Sequence, residues 1–332
     1  MKRVLVTGGA GYVGAVLVPK LLRQGYQVRV IDLFLFGKDV LPTHRSLECV
    51  EGDIRNRSLL QEALYGVDSV IHLACISNDP SFELNPDLSR SINYECFEPM
   101  VRMAKESGAK RFIYASTSSV YGISDALEVT EDHPLVPLTD YNKYKGMCEP
   151  HLLKYQSPDF TTVVIRPATV CGYSPRLRLD LTVNILANHA VTNRKILVLG
   201  GSQKRPNIHI EDISDLYGEL LEMPADKIAG KIFNAGYENF TVAELARMVQ
   251  KIVSREMPHL NPIAVETAPS NDLRSYHVSS KKILAELGWA PKHTLEEAVV
   301  DLCGAFRNGK IPNSMENIRY YNVKAIQASR LT

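Results

Sequence analysis

The strongest constraint on this chain is a rhythm. Short apolar runs, mostly β-branched, recur through the first half: VLVT (4–7), QVRVI (27–31), DSVIHLA (68–74), RFIYAS (111–116) and TTVVI (161–165). Between them lie amphipathic stretches, among them AVLVPKLLRQG (15–25), LSRSINYECFEPMVRMAKESG (88–108) and YNKYKGMCEPHLLKY (141–155). Strands this apolar are buried on both faces, and their regular alternation with helices supplies the covering layers. The pattern predicts an α/β fold with a doubly wound parallel sheet of Rossmann type.

After Pro167 the rhythm loosens through CGYSPRLRLD (171–180), a helical stretch near 182–192 and the strand KILVLG (195–200). It returns briefly in IHIEDISDLYGELLE (208–222) and GKIFNAG (230–236), and two further helices are expected at TVAELARMVQKIV (241–253) and TLEEAVVDLCGAFRNG (294–309). Residues 1–170, with return segments near 208–236, are therefore expected to form a first domain around this sheet. Residues 171–332 are expected to supply mainly a smaller, partly discontinuous second domain. The tail beyond residue 310 carries no pattern that assigns it.

Composition removes several function classes. At 332 residues, 45% hydrophobic and 23% charged, the chain has the makings of a large core, and a net charge of +1 gives no whole-molecule field for nucleic acid or anionic lipid. No basic stripe with interleaved aromatics appears, no apolar run approaches the ~20 residues of a membrane span, and Met1-Lys2-Arg3 leads directly into a strand. Six cysteines (49, 75, 96, 148, 171, 303) without a CxxC pair suggest neither a metal site nor a disulfide framework, and are expected to be reduced thiols of a cytoplasmic protein.

The chemistry begins at TGGAGYVG (7–14). Gly8, Gly11 and Gly14 stand three apart between a strand and a helix, a context in which glycines permit a tight turn, close approach of backbone N–H groups to a pyrophosphate, and close helix packing. Asp32 ends the next strand, where a carboxylate accepts hydrogen bonds from an adenosine ribose. No Arg or Lys follows it until Lys38, which favours NAD over NADP. Gly52-Asp53-Ile54 and HLAC (72–75) lie at further strand ends on the same crevice, with Asp53 placed to reach the adenine amino group.

YASTSSVYG (114–122) runs off another strand end and brings hydroxyls to that crevice, Thr117 foremost. Tyr141 opens the next helix and Lys145 follows one turn later on the same face, where its ammonium favours the phenolate and readies Tyr141 for acid/base work. The YxxxK spacing recurs at Tyr320/Lys324, but no strand precedes that pair, so it is not expected to be catalytic. Thr117 is also placed to serve simply as a helix cap.

The ordered set TGGAGYVG, Asp32, GDI, HLAC, STSSVYG, YNKYK and RPNIHIEDI resembles the extended short-chain dehydrogenase/reductase family, in particular its nucleotide-sugar epimerases and dehydratases, to about residue 305. The resemblance implies NAD in the first domain, against Gly8, Gly11, Tyr12, Val13, Gly14, Asp32, Asp53, Ile54, Leu73, Ala74, Tyr141 and Lys145. It implies a nucleoside-diphosphate sugar in the second domain, near Ser77, Asn184, Arg205 and Arg274, with the two arginines gripping the diphosphate. Thr117, Tyr141 and Lys145 match the family's catalytic triad, and a homodimer through the helices near 88–107 and 141–155 is a family expectation. Ser77-Asn78-Asp79 and Arg176/Arg178 are placed, by their loop positions alone, on the sugar side.

Two departures shape the functional expectation. Ser118-Ser119 stand where the family's dehydratases carry Asp-Glu, which disfavours 4,6-dehydration. Thr169 stands where many of its epimerases carry Asn, and together with SPRLRLDLTVN (174–184) this looks most like a branch that includes a dehydrogenase oxidising C4 of a GDP-heptose. The expected activity is NAD-dependent nucleotide-sugar epimerisation through transient oxidation at C4. The alternatives are a 4-dehydrogenase releasing the 4-keto sugar, less favourably a dehydratase or 4-ketoreductase, and a non-catalytic dinucleotide-binding module.

Overall fold

A computed structural model describes residues 2–124, 126–269, 275, 277–329 and 331. The strands in chain order are β1 (Arg3–Thr7), β2 (Gln27–Asp32), β3 (Leu47–Glu51), β4 (Ser69–His72), β5 (Arg111–Ala115), β6 (Thr161–Pro167), β7 (Thr169–Cys171), β8 (Lys195–Leu199), β9 (Lys204–His209), β10 (Lys231–Ala235), β11 (Glu238–Thr241) and β12 (Ala264–Ala268). Seven of them form one sheet in the order β10-β6-β5-β4-β1-β2-β3, every neighbour pair parallel. The order reverses between β1 and β4, and at such a switch point the strand ends part to leave a crevice.

The apolar strands behave as their composition requires. Side chains alternate faces along β1, so Val4 and Val6 join one buried layer and Leu5 the other. Helices Gly14–Arg23 and Ile210–Glu219 complete the first layer; helices Arg57–Leu64, Phe97–Glu106 and Asp140–Leu153 complete the second. Each fully buried aliphatic side chain contributes about 1.5–3 kcal/mol, so both faces of the sheet are held by dense apolar packing.

A second core gathers around helices Thr182–Asn193, Val242–Glu256 and Leu295–Arg307, with the small sheet β11-β9-β7 and the parallel pair β8/β12. Thr241/Glu244 and Thr294/Glu297 form reciprocal capping boxes that fix where two of these helices begin. Tyr12 belongs to this second core, so the glycine turn of the first sheet is packed directly against it. No helix among the described residues is long and apolar enough to cross a membrane.

Two elements differ from expectation. The stretch 88–108 is not one helix: Pro86–Arg90 leads into a single π-helical turn, Ser91–Glu95, before Phe97–Glu106 resumes. Within that turn Asn93 accepts from Ile76 N–H at 2.8 Å and donates to Ile76 C=O at 2.9 Å, anchoring the crevice loop after β4; the wider turn accompanies that reach. The unassigned tail forms a turn at Ile318–Tyr320 and a helix at Asn322–Ala328 that cross to the first sheet, where Arg319 donates to Phe36 C=O at 2.6 Å and pairs with Asp39 at 2.6 Å.

Candidate active site

A cavity of about 520 Å³ opens at the switch point and runs from the glycine turn to the second unit. Its volume lies within the range typical of small-molecule sites. Gly8, Gly11, Tyr12, Val13, Gly14, Asp32, Asp53, Ile54, Leu73, Ala74, Ser77, Thr117, Tyr141, Lys145 and Arg205 all line it.

The glycines hold the backbone close to the cavity floor. Gly8 has φ +70°, and a Cβ there would lie 2.7 Å from the backbone N and Cα of Ala74, so only glycine lets β1 and the strand end after β4 approach this closely. A Cβ on Gly14 would strike Gly9 C=O at 2.4 Å, which fixes the first helical turn against the loop. Among the described residues the N–H groups of Tyr12, Val13 and Gly14 meet no protein acceptor, leaving the positive end of helix Gly14–Arg23 turned toward the cavity. Asp32 accepts from Ala10 N–H at 2.9 Å and Phe34 N–H at 2.8 Å, and burial raises its pKa against these bonds. Burial also opposes the charge on Asp53, but Arg55, 2.7 Å away, outweighs it and holds the carboxyl below its ordinary value.

Strand β5 and helix Asp140–Leu153 set the other wall. Thr117 caps the short 3-10 turn Ser118–Tyr121, accepting from Ser119 N–H at 3.2 Å and sharing a hydrogen bond with Ser119 Oγ at 2.8 Å, while it also lines the cavity. The capping role and the cavity position therefore coexist. Lys145 Nζ donates to Ala115 C=O at the end of β5 and sits 4.5 Å from the centroid of the Tyr114 ring, which pins the ammonium beneath the strand end. Tyr141 stands one turn earlier on the same helix. His72, beside them, is no titrating group at neutral pH: burial among Phe97, Phe112 and Tyr114 and then the Lys145 charge lower its pKa to about 3, and Thr7 Oγ1 lies 2.7 Å from its Nδ1.

Behind this wall lies a buried polar network that the sequence reading missed. Glu149, on the face shared by Tyr141 and Lys145, accepts from Ser116 Oγ at 2.6 Å and from Arg166 through Nε at 3.0 Å and Nη2 at 2.6 Å. Arg166 donates onward to Tyr121 OH at 2.6 Å, and Tyr121 OH to Asn234 Oδ1 at 2.8 Å, so helix Asp140–Leu153 is tied to β5, β6 and β10. The i,i+4 step from Lys145 to Glu149 was the available signal.

The sugar-side expectations fare unevenly. Arg205 is buried and lines the cavity; Arg274 lies outside the described residues. Asn184 does not line the cavity. It is fully buried behind the wall, accepting from Gly172 N–H at 3.0 Å and donating to Tyr12 OH at 3.0 Å and Arg178 C=O at 2.8 Å, so its polar atoms hold the glycine turn against the second unit. Ser77 does line it, accepting from Arg178 Nη1 at 2.9 Å and Asn322 Nδ2 at 3.0 Å. The tail contributes Asn322, Ile326 and Leu331 to the lining, a contribution that nothing in its sequence marked. Tyr320 and Lys324, the second YxxxK pair, are not among the lining residues.

A model of the NAD dependent epimerase/dehydratase family matches residues 4–236. The chain belongs to this family. Among similar epimerase/dehydratase-family proteins, UDP-glucose 4-epimerase of Corynebacterium glutamicum is 27% identical over 329 residues, covering 92% of this chain and 95% of that one. UDP-glucuronic acid decarboxylase 1 of Danio rerio is 29% identical over 310 residues, covering 90% and 71%. MoeE5, solved in complex with UDP-glucose and NAD, superposes with a TM-score of 0.79 at 25% identity, covering 92% of this chain and 99% of that one.

Proposed function

We propose that this family member is a nucleotide-sugar epimerase that acts by transient oxidation at the sugar's C4, in the cytoplasm and as a homodimer. The observation that carries the reading is the single cavity shared by the glycine turn, the strand-end hydroxyls, and the Tyr141/Lys145 pair. The residues present fit a dinucleotide: a glycine turn that a Cβ would fill, helix N–H groups turned inward, and Asp32 at the β2 end. NAD, when bound there, supplies reversible hydride exchange with the sugar's C4.

The remaining steps belong to the chain's own side chains. Tyr141, as phenolate favoured by Lys145 one turn away, takes the proton of the C4 hydroxyl and later returns it. Thr117 hydrogen-bonds the reacting oxygen and fixes its position. Lys145, held by Ala115 C=O, keeps its positive charge fixed relative to the phenol. Arg205, and by the sequence resemblance Arg274, hold the diphosphate of the sugar nucleotide. Rotation of the ketose in the pocket before the hydride returns gives the C4 epimer.

Thr169, which lines the cavity where many family epimerases carry Asn, favours a second reading in which the 4-keto sugar is released. The test is proton NMR of mixtures of the protein, NAD and UDP-, GDP-, CDP- and dTDP-sugars. A C4 epimer formed without net cofactor reduction is the expected result. A 4-keto sugar formed with one equivalent of reduced cofactor establishes the second reading instead, and no conversion across the panel defeats both. Tyr141→Phe is expected to lower turnover by about 10²–10⁴-fold while NAD still binds, and retention of turnover would remove Tyr141 from the mechanism. Light scattering in solution tests the homodimer.

A further inference from the structure

The segment SPRLRLD (174–180) alternates apolar and charged residues in a way that places two buried cations at the cavity. Leu177 and Leu179 are fully buried in the second core, while Arg176, Arg178 and Asp180 face the cavity. Arg178 is compensated: its Nε lies 2.9 Å from Asp180 Oδ1 and its Nη1 donates to Ser77 Oγ. Arg176 differs. It is 3% exposed, its guanidinium carbon lies 3.5 Å from the centroid of the Phe36 ring, and Nη2 donates to Asn322 Oδ1. Its Nε and Nη1 have no hydrogen-bond partner among the described residues.

A buried guanidinium with two unpaired donors is costly unless a ligand completes it. Phe36 lies just beyond Asp32, so the stack puts Arg176 against the dinucleotide half of the cavity rather than the sugar half where its loop position suggested it. We propose that Arg176 is an anion-binding residue of the dinucleotide site, its Nε–H and Nη1–H donating to a phosphate group of the bound cofactor. The inference rests on the dinucleotide reading of the cavity. Asp32 and Asp180 attract the guanidinium from a distance and Arg178 repels it; burial, the largest effect, lowers its pKa to about 9, which leaves it cationic at neutral pH. Among the described residues no carboxylate closes on Nε or Nη1.

The phosphate has two possible sources, the pyrophosphate common to NAD and NADP or the 2′-phosphate of NADP alone. The basic residue that follows Asp32 in sequence does not decide between them, because Lys38 is paired with Glu51 at 2.6 Å. Arg176 arrives from the second unit instead, where a reading of the β2 end would not meet it.

The experiment is calorimetric titration of wild type, Arg176→Gln and Arg176→Lys with NAD, NADP and ADP-ribose. Loss of hydrogen bonds to a charged group is expected to weaken binding to R176Q about 10- to 100-fold. Equal weakening for all three ligands identifies the pyrophosphate as the source; weakening confined to NADP identifies the 2′-phosphate. R176K, which keeps the charge but not the paired donors, is expected to fall between. Unchanged affinities in R176Q, with wild type binding, overturn the inference but leave the dinucleotide reading standing. A wild type that binds none of the three overturns both. Thermal melts separate ligation from a merely structural role: R176Q should keep its ligand-free Tm and lose part of the rise produced by NAD and NADP, or by NADP alone if the 2′-phosphate is the source. A lowered ligand-free Tm with undiminished rises for both cofactors would show Arg176 to be structural only and overturn the inference.

Discussion

Neutralising Glu149 tests whether the helix carrying Tyr141 and Lys145 is held by a buried ion pair. Glu149 and Arg166 side chains are 2% and 3% exposed, and their contact is bidentate. Burial opposes the charge on Arg166, but Glu149 outweighs it, so the guanidinium is held firmly as a cation. In Glu149→Gln one carboxylate oxygen becomes an NH2 group that faces an Arg166 N–H in either orientation, because Nε and Nη2 each donate to a different oxygen. The guanidinium then stays buried without its counter-charge. Breaking one side of such a pair costs about 3–5 kcal/mol, against the ~5–15 kcal/mol that holds a typical domain folded. The measure is urea unfolding, with a double-mutant cycle through Arg166→Met. The double variant should recover most of the loss, since Arg166→Met leaves no buried charge without its counter-charge, while turnover falls in the single variant because Ser116 adjoins Thr117. A loss in Glu149→Gln below ~1 kcal/mol, the scale of an exposed pair, or strict additivity in the cycle, would refute the reasoning.

Further outcomes follow from other positions. Gly8→Ala forces an L-residue into the left-handed region, at about 1–2 kcal/mol, and drives its Cβ into the Ala74 backbone; calorimetry should show lowered NAD affinity, and unchanged affinity would contradict the close-approach argument. Asn184→Ala should reduce thermal stability and NAD affinity while sparing the KM for the sugar nucleotide, because Asn184 braces Tyr12 rather than lining the cavity. At His293, burial opposes the charge but Asp212, 2.8 Å away, outweighs it, so the folded pKa stands above the ordinary 6.5. Stability from that pair is full below about pH 6.5 and is lost as pH rises through the folded pKa; urea midpoints across pH 5–8 should fall more steeply in wild type than in His293→Gln, and parallel curves would discount the pair.

The sequence by itself determined the layered sheet, the glycine turn and the Tyr141/Lys145 face. Each of these is a local regularity: apolar runs set the buried strands, spacing of three set the turn, and an i,i+4 step set the face of one helix. The π-helical turn at Ser91–Glu95 escaped because the bonds that accompany it, between Asn93 and Ile76, run across a loop rather than along the helix. The bond from Asn184 to Tyr12 is hidden from the sequence in the same way, since it joins residues of the two units, although Gly172 and Arg178 are local partners of Asn184. The tail and Arg176 depended wholly on tertiary structure. Asn322 and Arg176 meet each other and the edge of the dinucleotide cavity through contacts between residues far apart in the chain, and periodicity carries no information about which distant groups a folded chain brings together.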